Sequence, residues 1–352
     1  ALEKAIACEA AARDHADIVN SEGATVSSIR SHMIYANTHG FLGQYASTRH
    51  SLSCSVVAGD ASGMQRDYWY TQARSHQDME DALTVGRIAG AKTDNDEVRK
   101  LFSEKEVKNI MKSLESDPLI KQHMFDRDDS DGNSTLSVQW NNPGKSSYGV
   151  GARMKKIVNV VEELLGGEVY HWHSKVTAKA AKEGGAWEWH QDYGYWYNHG
   201  CLYPDMMSVM VALDKSTKEN GCLQVLKGSH QIGRIDHIKM VKENGDLGQV
   251  CADQERIKWA ETKHENIYCE MEPGDALFFH GNTLHGSGAN KSEMRRWALL
   301  FCYNTASNNP FIETHQPFYN QINKAEDNYI IENGVTLGDG SENFQSTYTK
   351  KK

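Results

Sequence analysis

The stretch WHQDYGYWYN places a histidine and an aspartate, His190 and Asp192, one residue apart among aromatic side chains. Imidazole and carboxylate groups are both metal ligands. On a β-strand, two residues that flank a third point to the same face, so this pair can occupy adjacent positions on one metal ion. The pattern alone is weak, because the chain repeats it twice. The two other pairs are His15 with Asp17 and His76 with Asp78.

A third candidate ligand and an arginine follow downstream. His285 lies 93 residues after Asp192, at the start of the sequence HGSG, and Arg296 follows His285 by eleven residues. Two histidines and one carboxylate on one face of Fe(II) leave positions open for a bidentate co-substrate and O2. We therefore interpret His190, Asp192 and His285 as an iron site, with His285 on another strand across the mouth of a barrel.

Other histidines offer alternatives that we disfavour. His280 is a rival distal ligand, but no arginine follows it by eleven residues. His171 and His173 alternate with Trp172 and share one strand face, which would suit a second metal. His230 lies in a turn and is expected to be structural or to face a substrate.

The N-terminal part of the chain predicts a helix followed by an antiparallel meander. The helix covers residues 1–19, and Ser, Thr and Tyr residues dominate from Thr25 to Val57. A second helix is predicted near 75–92, and the charged sequence DNDEVRK at 94–100 is a connector. Glycines mark the expected turns: Gly23, Gly40, Gly43 and Gly59.

The remaining chain predicts two helices and then many short strands. Ser103 and Glu106 form a capping-box pattern ahead of an amphipathic helix that Asp117-Pro118 ends. A second helix at 152–165 is expected to bury one apolar face, formed by Ile157, Val160, Val161, Leu164 and Leu165. The later strands are separated by turns, which favours a barrel or sandwich of the jelly-roll type.

The acidic sequence DRDDSDGNST at residues 126–135 is not a calcium loop. With Gly132 in the sixth place, Arg127 and Val138 would stand at the first and last ligand positions. We expect a solvated loop here.

Residues from about 100 to 315 resemble the phytanoyl-CoA dioxygenase family of Fe(II)/2-oxoglutarate oxygenases. The resemblance rests on WHQD, NGCLQVLKGSH, EPGDALFFH, LHGSG and the following arginine, which occur in order. It implies an α+β fold in which a double-stranded β-helix, or jelly roll, has flanking helices and follows a smaller helix-plus-antiparallel-strand segment. The two domains are expected to cover residues 1–93 and 94–352.

The same resemblance implies the roles of individual residues. His190, Asp192 and His285 would hold Fe(II), and Arg296 would hold the far carboxylate of 2-oxoglutarate. Further co-substrate positions match Ser287, Lys175 and Met210. The implied reaction consumes O2, releases succinate and CO2, and hydroxylates a small organic substrate, with ascorbate as an assay additive. Asp192 favours hydroxylation, because halogenating relatives carry a small residue there.

The aromatic cluster around the first histidine either shapes a substrate pocket or packs the barrel. The candidate pocket residues are Trp189, Tyr193 and Trp196. An acyl-CoA substrate is suggested by the family name alone, since the sequence contains no evident basic cradle for the CoA phosphates.

Residues 1–93 resemble a fragment of the TldD/PmbA family, on the PmbA (TldE) side. The matching segments are NSEGATVSS, HGFLGQYASTRHSLSCSVVAGD and MQRDYWYT. The zinc motif HExxxH of the TldD partner is missing, so we assign no peptidase activity. Ser47, His50 and Cys54 are read as strand residues in preference to a nucleophile group. The segment is a candidate docking site for a protein partner.

Composition narrows the protein class. The chain of 352 residues carries a net charge of -9, which argues against a surface that follows nucleic acid phosphates. No apolar run is long enough to predict a membrane span, and the first residues lack signal-peptide features. Seven cysteines without CxxC spacing favour reduced thiols and a cytoplasmic location.

Two other functions stay open at this point. One is a non-catalytic interaction protein that docks through its TldE-like segment. The other is a metal-binding jelly roll that performs no oxidation and has no need of Arg296.

Overall fold

The structure, a computed structural model, describes residues 1–345 apart from 16–17, 37, 39–40, 61–62, 94–100 and 242–246. The chain divides into two compact units, Ala1–Arg99 and Lys100–Lys352. The predicted connector at 94–100 and the predicted turn at Gly40 lie outside the described residues. The predicted boundary between residues 93 and 94 stays a prediction.

In its described residues the first unit contains two α-helices, a short 3-10 helix at His76–Asp78 and one antiparallel sheet. Its elements are α1 (Leu2–Arg13), β1 (Ile18–Ala36), β2 (Leu42–Asp60), β3 (Gly63–Ala73) and α2 (Ala82–Thr93). The sheet order is β1-β2-β3. Alternate residues of β2 enter a small core with both helices, which contains Cys8, Ala12, Leu52, Cys54, Val56, Val85 and Ala89.

The predicted meander is therefore present, but its boundaries differ. Helix α1 ends at Arg13, well before the predicted residue 19, and α2 begins only at Ala82. The glycines at 23, 43 and 59 lie inside strands, because β1 and β2 pair from Ile18 opposite Ala58 to Ala36 opposite Leu42. Cys54 lies in the core, as a strand residue.

The second unit is an α+β double-stranded β-helix, as predicted. Its first elements are α3 (Glu104–Ser116), α4 (Pro118–His123), β4 (Phe125–Asp128), β5 (Ser134–Trp140), α5 (Lys155–Leu165), β6 (Val169–Lys179), β7 (Trp187–His190) and α6 (Asp192–Trp196). The next are β8 (Met206–Ala212), β9 (Leu223–Leu226), β10 (His237–Val241), β11 (Leu247–Ala252) and α7 (Gln254–Glu261). The last are β12 (Asn266–Cys269), β13 (Ala276–His280), β14 (His285–Ser287), β15 (Arg296–Thr305) and α8 (Tyr329–Asn333).

Two antiparallel sheets form the body of this unit. The larger has the strand order β13-β8-β15-β6-β5-β4, and the smaller has the order β12-β9-β14-β7. One face of the larger sheet packs against α3 and α5 through Ile110, Ile157 and their neighbours. The other face contributes Met210, Ala298 and Leu300 to an inner cluster that includes Leu223 of the smaller sheet. The inner face is where the site residues lie.

Both predicted helices are present with altered details. Ser103 and Glu106 form the predicted capping box. The second helix begins at Lys155 and buries Ile157, Val158 and Val161, whereas Leu164 is exposed. The predicted buried face was therefore wrong at Leu164, whereas Leu165 packs against the core as a partly buried residue.

The acidic segment at 126–135 forms a β-hairpin of β4 and β5, so the expectation of a wholly solvated loop was wrong. Asp129 is buried in its turn, where its carboxylate accepts hydrogen bonds from the backbone N–H groups of Asp131, Asn133 and Ala186. These donors, rather than a cation, satisfy the carboxylate.

Candidate metal centre

Strand pairing brings the three predicted ligands together. His190 is the last residue of β7, His285 is the first residue of β14, and the two stand directly opposite each other in the strand register. The expectation that His285 reaches across the barrel mouth was wrong, because β14 and β7 are neighbours in one sheet. Asp192 begins α6 and does not lie on the strand, although the extended Gln191 between them still directs both side chains to one side.

The donor atoms of these residues converge on one point. Oδ1 of Asp192 lies 3.8 Å from Nε2 of His190 and 3.8 Å from Nε2 of His285. One ligand atom from each residue falls within 4.8 Å of the other two. All three side chains are buried. The cluster therefore has the size and composition of a small metal site.

Outer hydrogen bonds orient each ligand. Nδ1 of His190 donates to the carbonyl oxygen of Glu188 at 2.6 Å, and Nδ1 of His285 donates to that of Thr283 at 2.9 Å. Ser208 Oγ donates to Oδ2 of Asp192 at 2.6 Å. These bonds leave both Nε2 atoms and Oδ1 of Asp192 directed at the common point, which is the arrangement expected around a metal.

The charge states of the three residues suit a divalent cation. Burial lowers the pKa of His190 and of His285, so both imidazoles are neutral at pH 7. Burial opposes ionisation of Asp192, but His285, Lys175 and the Ser208 hydroxyl outweigh it and keep the pKa of that carboxyl below its ordinary value. Two neutral nitrogens and one buried carboxylate are a donor set that fits Fe(II).

A cavity beside the three ligands contains all four predicted co-substrate residues. We call it the Arg296 cavity. Its lining comprises Lys175, Thr177, Trp187, His190, Met210, Leu223, His285, Gly286, Ser287, Arg296 and Leu300. Lys175 and Met210 are both register partners of Leu300 on the central strand β15, which accounts for their proximity.

Arg296 is buried at one side of this cavity. Its Nη2 donates to the carbonyl oxygen of Gly221 at 2.6 Å, whereas its Nε has no hydrogen-bond partner. Burial lowers the pKa of Arg296 to about 10, so the guanidinium is charged at pH 7. Arg295 points the other way and pairs with Glu115 and Asp214. A buried guanidinium with a free donor is suited to holding a carboxylate.

Lys179 is a residue of this region that the sequence reasoning missed. It is fully buried, and its Nζ donates to Ser287 Oγ at 2.8 Å and to the carbonyl oxygen of Gly288. Burial and then the charge of Arg296 lower its pKa to about 6. Strand alternation could have identified Lys179 from the sequence, because residues 175, 177 and 179 share the inner face of β6.

A second cavity shares Lys175, Trp187 and His190 with the first. We call it the Arg127 cavity. Its lining comprises Phe125, Arg127, Ser137, Val138, Gln139, His173, Lys175, Trp187, His190, Asp192, Tyr195, Trp196, His199, His315, Gln316 and Gln345. Asp192 and His190 lie in its wall, so the cavity opens onto two of the three ligands.

The structure places only one of the three predicted pocket aromatics in this lining, namely Trp196. Trp189 packs against the apolar cluster of Leu226 and Ile257, and the Tyr193 hydroxyl donates to the carbonyl oxygen of Cys201. Trp187 lines the cavity instead. The cause is a β-bulge: two steps along β14 match three steps along β7, which shifts the side-chain alternation.

The other histidines do not join the three ligands. His280 lies on β13, and its Nδ1 accepts a hydrogen bond from the Asn282 backbone. His171 is held by the Asn141 carbonyl oxygen and by Ser174, and His230 is exposed. In the part of the chain that the structure describes, His190, Asp192 and His285 form the one group of potential metal ligands. None of the described helices is both long and apolar enough to cross a membrane.

The fold and the His-Asp-His group define a double-stranded β-helix protein with a metal-ligand centre. Residues 79–298 match the phytanoyl-CoA dioxygenase (PhyH) family. The chain therefore belongs to that family, and the resemblance drawn from the sequence is confirmed. Residues 1–95 match the central domain of the PmbA/TldA metallopeptidases, which confirms the second resemblance.

Individual relatives agree with these assignments. The chain is 34% identical over 177 residues to L-proline trans-4-hydroxylase of Streptomyces griseoviridis. This match covers 47% of the chain and 66% of the hydroxylase, which is just under two thirds of its length. It is 38% identical over 93 residues to the metalloprotease PmbA homolog of Haemophilus influenzae, which covers 26% of this chain and 21% of that protein. The first relative is a hydroxylase by name, and the second match covers only a fragment of the PmbA homolog.

A solved structure shares the fold. The crystal structure of EctD from S. alaskensis with 2-oxoglutarate and 5-hydroxyectoine matches with a TM-score of 0.52 and 23% identity. The match covers 64% of this chain and 80% of EctD. It confirms the predicted double-stranded β-helix.

Proposed function

We propose that the chain is an Fe(II)/2-oxoglutarate-dependent dioxygenase that hydroxylates a small organic substrate and releases succinate and CO2. The observation that carries the proposal is the position of the ligand cluster between two cavities. His190, Asp192 and His285 converge at one point. His190 and His285 line the Arg296 cavity, and His190 and Asp192 line the Arg127 cavity. One cavity suits a co-substrate and the other suits a substrate.

In this proposal His190, Asp192 and His285 hold the iron. When bound, Fe(II) would supply the O2 activation that is coupled to decarboxylation of 2-oxoglutarate. The backbone carbonyl oxygens of Glu188 and Thr283 keep both histidines in the tautomer that presents Nε2.

The remaining residues would bind and orient the co-substrate. Arg296 holds the far carboxylate with its free Nε and its fork of N–H groups. Ser287 lies on the same side, with its oxygen already accepting from Lys179, so its own proton is available to donate to that carboxylate. Lys175 and Met210 complete the wall, and Trp187 lines both cavities.

A metal-binding jelly roll without oxidation is the weaker alternative. Such a protein has no use for a buried, partly unpartnered guanidinium beside the ligands, and burying an arginine without a partner is costly. The arrangement of Arg296 therefore favours a bound dicarboxylate.

The test is an assay with Fe(II), 2-oxoglutarate, O2 and ascorbate that measures succinate and substrate hydroxylation by mass spectrometry. L-proline is the first substrate to screen, because the hydroxylase relative is named for it. Asp192→Ala should abolish turnover, whereas Asp339→Ala, an exposed aspartate, should not. Full hydroxylation by Asp192→Ala would show that the ligand assignment is wrong.

A further inference from the structure

The Arg127 cavity carries an excess of positive charge. Among its lining residues, the charged side chains are Arg127, Lys175 and Asp192. Asp192 is a proposed metal ligand, so its charge is directed at the iron. Lys175 also lines the Arg296 cavity, where a dicarboxylate is proposed to bind. Arg127 is therefore the cation that belongs to this cavity alone.

The histidines of the cavity do not add to that charge. Burial lowers the pKa of His173 well below its ordinary value, lowers that of His199 to about 4, and also lowers that of His315. These imidazoles, like that of His190, are neutral at pH 7 and can act only as hydrogen-bond donors or acceptors. The guanidinium of Arg127 thus sets the electrostatic preference for an anionic group in the ligand.

Arg127 is fixed in place and incompletely satisfied. Its Cζ lies 4.1 Å from the centroid of the Trp187 ring, a cation–π contact that holds the plane of the guanidinium. The Tyr195 hydroxyl interacts with the guanidinium, but the buried Nε has no hydrogen-bond partner, and within the described residues no carboxylate oxygen lies within 4.0 Å of the group. A planar guanidinium with a free N–H donor is suited to holding a carboxylate.

Further unpartnered polar atoms line the same cavity. They are Ser137 Oγ, His173 Nδ1 and Gln316 Oε1, all on buried side chains, and the side chains of His173 and Gln316 also interact with each other. Buried polar groups normally find partners, so their concentration here points to a ligand with several polar groups. The walls are aromatic at Tyr195 and Trp196, which suits a compact carbon skeleton.

We infer that the substrate is a compact polar molecule with a free carboxylate, and that Arg127 recognises this carboxylate and determines specificity. The inference rests on the proposed function, because it concerns the substrate of the same iron site. An acyl thioester lacks a free carboxylate at its acyl end and does not meet the requirement. A free amino acid does meet it.

The test measures binding rather than turnover. The full chain is loaded anaerobically with Fe(II) and 2-oxoglutarate, and binding is followed by isothermal titration calorimetry and by tryptophan fluorescence. The probes are compact amino acids and the primary amide of each, beginning with L-proline and L-prolinamide. At least one free acid should bind, and its amide should bind at least about tenfold more weakly.

Variants connect the discrimination to the guanidinium. Arg127→Met should weaken binding of the acid by at least about tenfold, because it removes the partly buried cation that would pair with the carboxylate. Arg127→Lys should retain part of the preference for the acid, since it keeps the charge without the planar fork. Lys258→Met, at an exposed lysine of α7, is the matched control and should leave binding unchanged. Circular dichroism verifies that each variant is folded.

The two proposals fail in different ways. If the wild-type chain binds Fe(II) and 2-oxoglutarate but no acid of the panel binds, or acid and amide bind equally, the carboxylate inference is wrong and the oxygenase proposal stands. Retention of full acid affinity by folded Arg127→Met also overturns it. If the wild-type chain binds neither Fe(II) nor 2-oxoglutarate, the proposed function itself is wrong, and the inference fails with it.

Discussion

His190 and His285 are direct partners across the antiparallel pairing of β7 and β14, and their ring centroids lie 4.1 Å apart. Two of the three proposed ligands are therefore positioned by backbone hydrogen bonds within one sheet. A site built on paired strands holds its geometry better than one built on loops. Asp192 enters from a different element, the first turn of α6, and depends on Ser208 for its orientation.

The first prediction concerns this dependence on Ser208. Ser208→Ala removes the hydrogen bond that orients Asp192, so the affinity for Fe(II) should fall by about 10- to 100-fold, the usual cost of losing an outer-shell partner. Titration of metal against a competing chelator measures the change. Ser216→Ala is the matched control, since Ser216 is a buried serine whose Oγ has no partner. Equal metal affinity in both variants would show that Ser208 does not orient the ligand.

The sequence identified the members of the site better than their arrangement. Residue spacing and family resemblance selected His190, Asp192, His285 and Arg296, and the structure brings all four to one region. The sequence did not predict that Asp192 begins a helix. The helical turn depends on tertiary contacts such as the hydrogen bond from the Tyr193 backbone to the Gly281 carbonyl oxygen, which periodicity does not encode.

The pocket aromatics show a second limit. Strand alternation places Trp187 and Trp189 on the same face, opposite His190. The bulge in β7 breaks this pattern and brings Trp187 alone to the side of the ligands. A bulge is set by the pairing of two strands distant in sequence, so a single strand pattern could not reveal it. Elements with strong local signals, such as the Ser103 capping box, were predicted correctly.

The second prediction concerns the buried Lys179. Its pKa is lowered from 10.5 to about 6 in the folded chain, so the unfolded chain binds one more proton between these pH values. Because of this residue, the folded state becomes more stable as pH rises from about 6 to 10.5. Below pH 6 the full cost of burying the protonated amine is present. The unfolding free energy of the wild type minus that of Lys179→Met should therefore increase with pH, by at most about 1.4 kcal/mol per pH unit.

Denaturant unfolding at several pH values measures this difference. Lys258→Met serves as the control, because an exposed lysine should give a difference that does not change with pH. A flat difference for Lys179→Met as well would mean that Lys179 keeps its ordinary pKa in the folded chain.

The third prediction concerns the N-terminal segment. The proposed ligands and their hydrogen-bond partners all lie in the unit Lys100–Lys352, whereas the cluster around Leu52 and Cys54 lies in the other unit. Deletion of residues 1–93 should therefore change solubility or stability but leave the affinity for Fe(II) unchanged. Metal titration of the truncated chain, with circular dichroism to show that it is folded, measures both. Loss of metal binding in a folded truncated chain would contradict this separation.

The last prediction distinguishes the two adjacent arginines at the start of β15. Arg296 is buried in the cavity that bears its name, whereas Arg295 is half exposed and paired with Glu115 and Asp214. Removing one partner of a buried charged pair costs about 2–5 kcal/mol, and each 1.4 kcal/mol corresponds to about tenfold in affinity. Arg296→Ala should therefore weaken 2-oxoglutarate binding by at least about thirtyfold while Fe(II) still binds. Arg295→Ala, the matched control, should change 2-oxoglutarate affinity only slightly, because its ion pairs lie at the surface. Calorimetric titration of both variants with 2-oxoglutarate decides between them, and a larger loss in Arg295→Ala would refute the proposed role of Arg296.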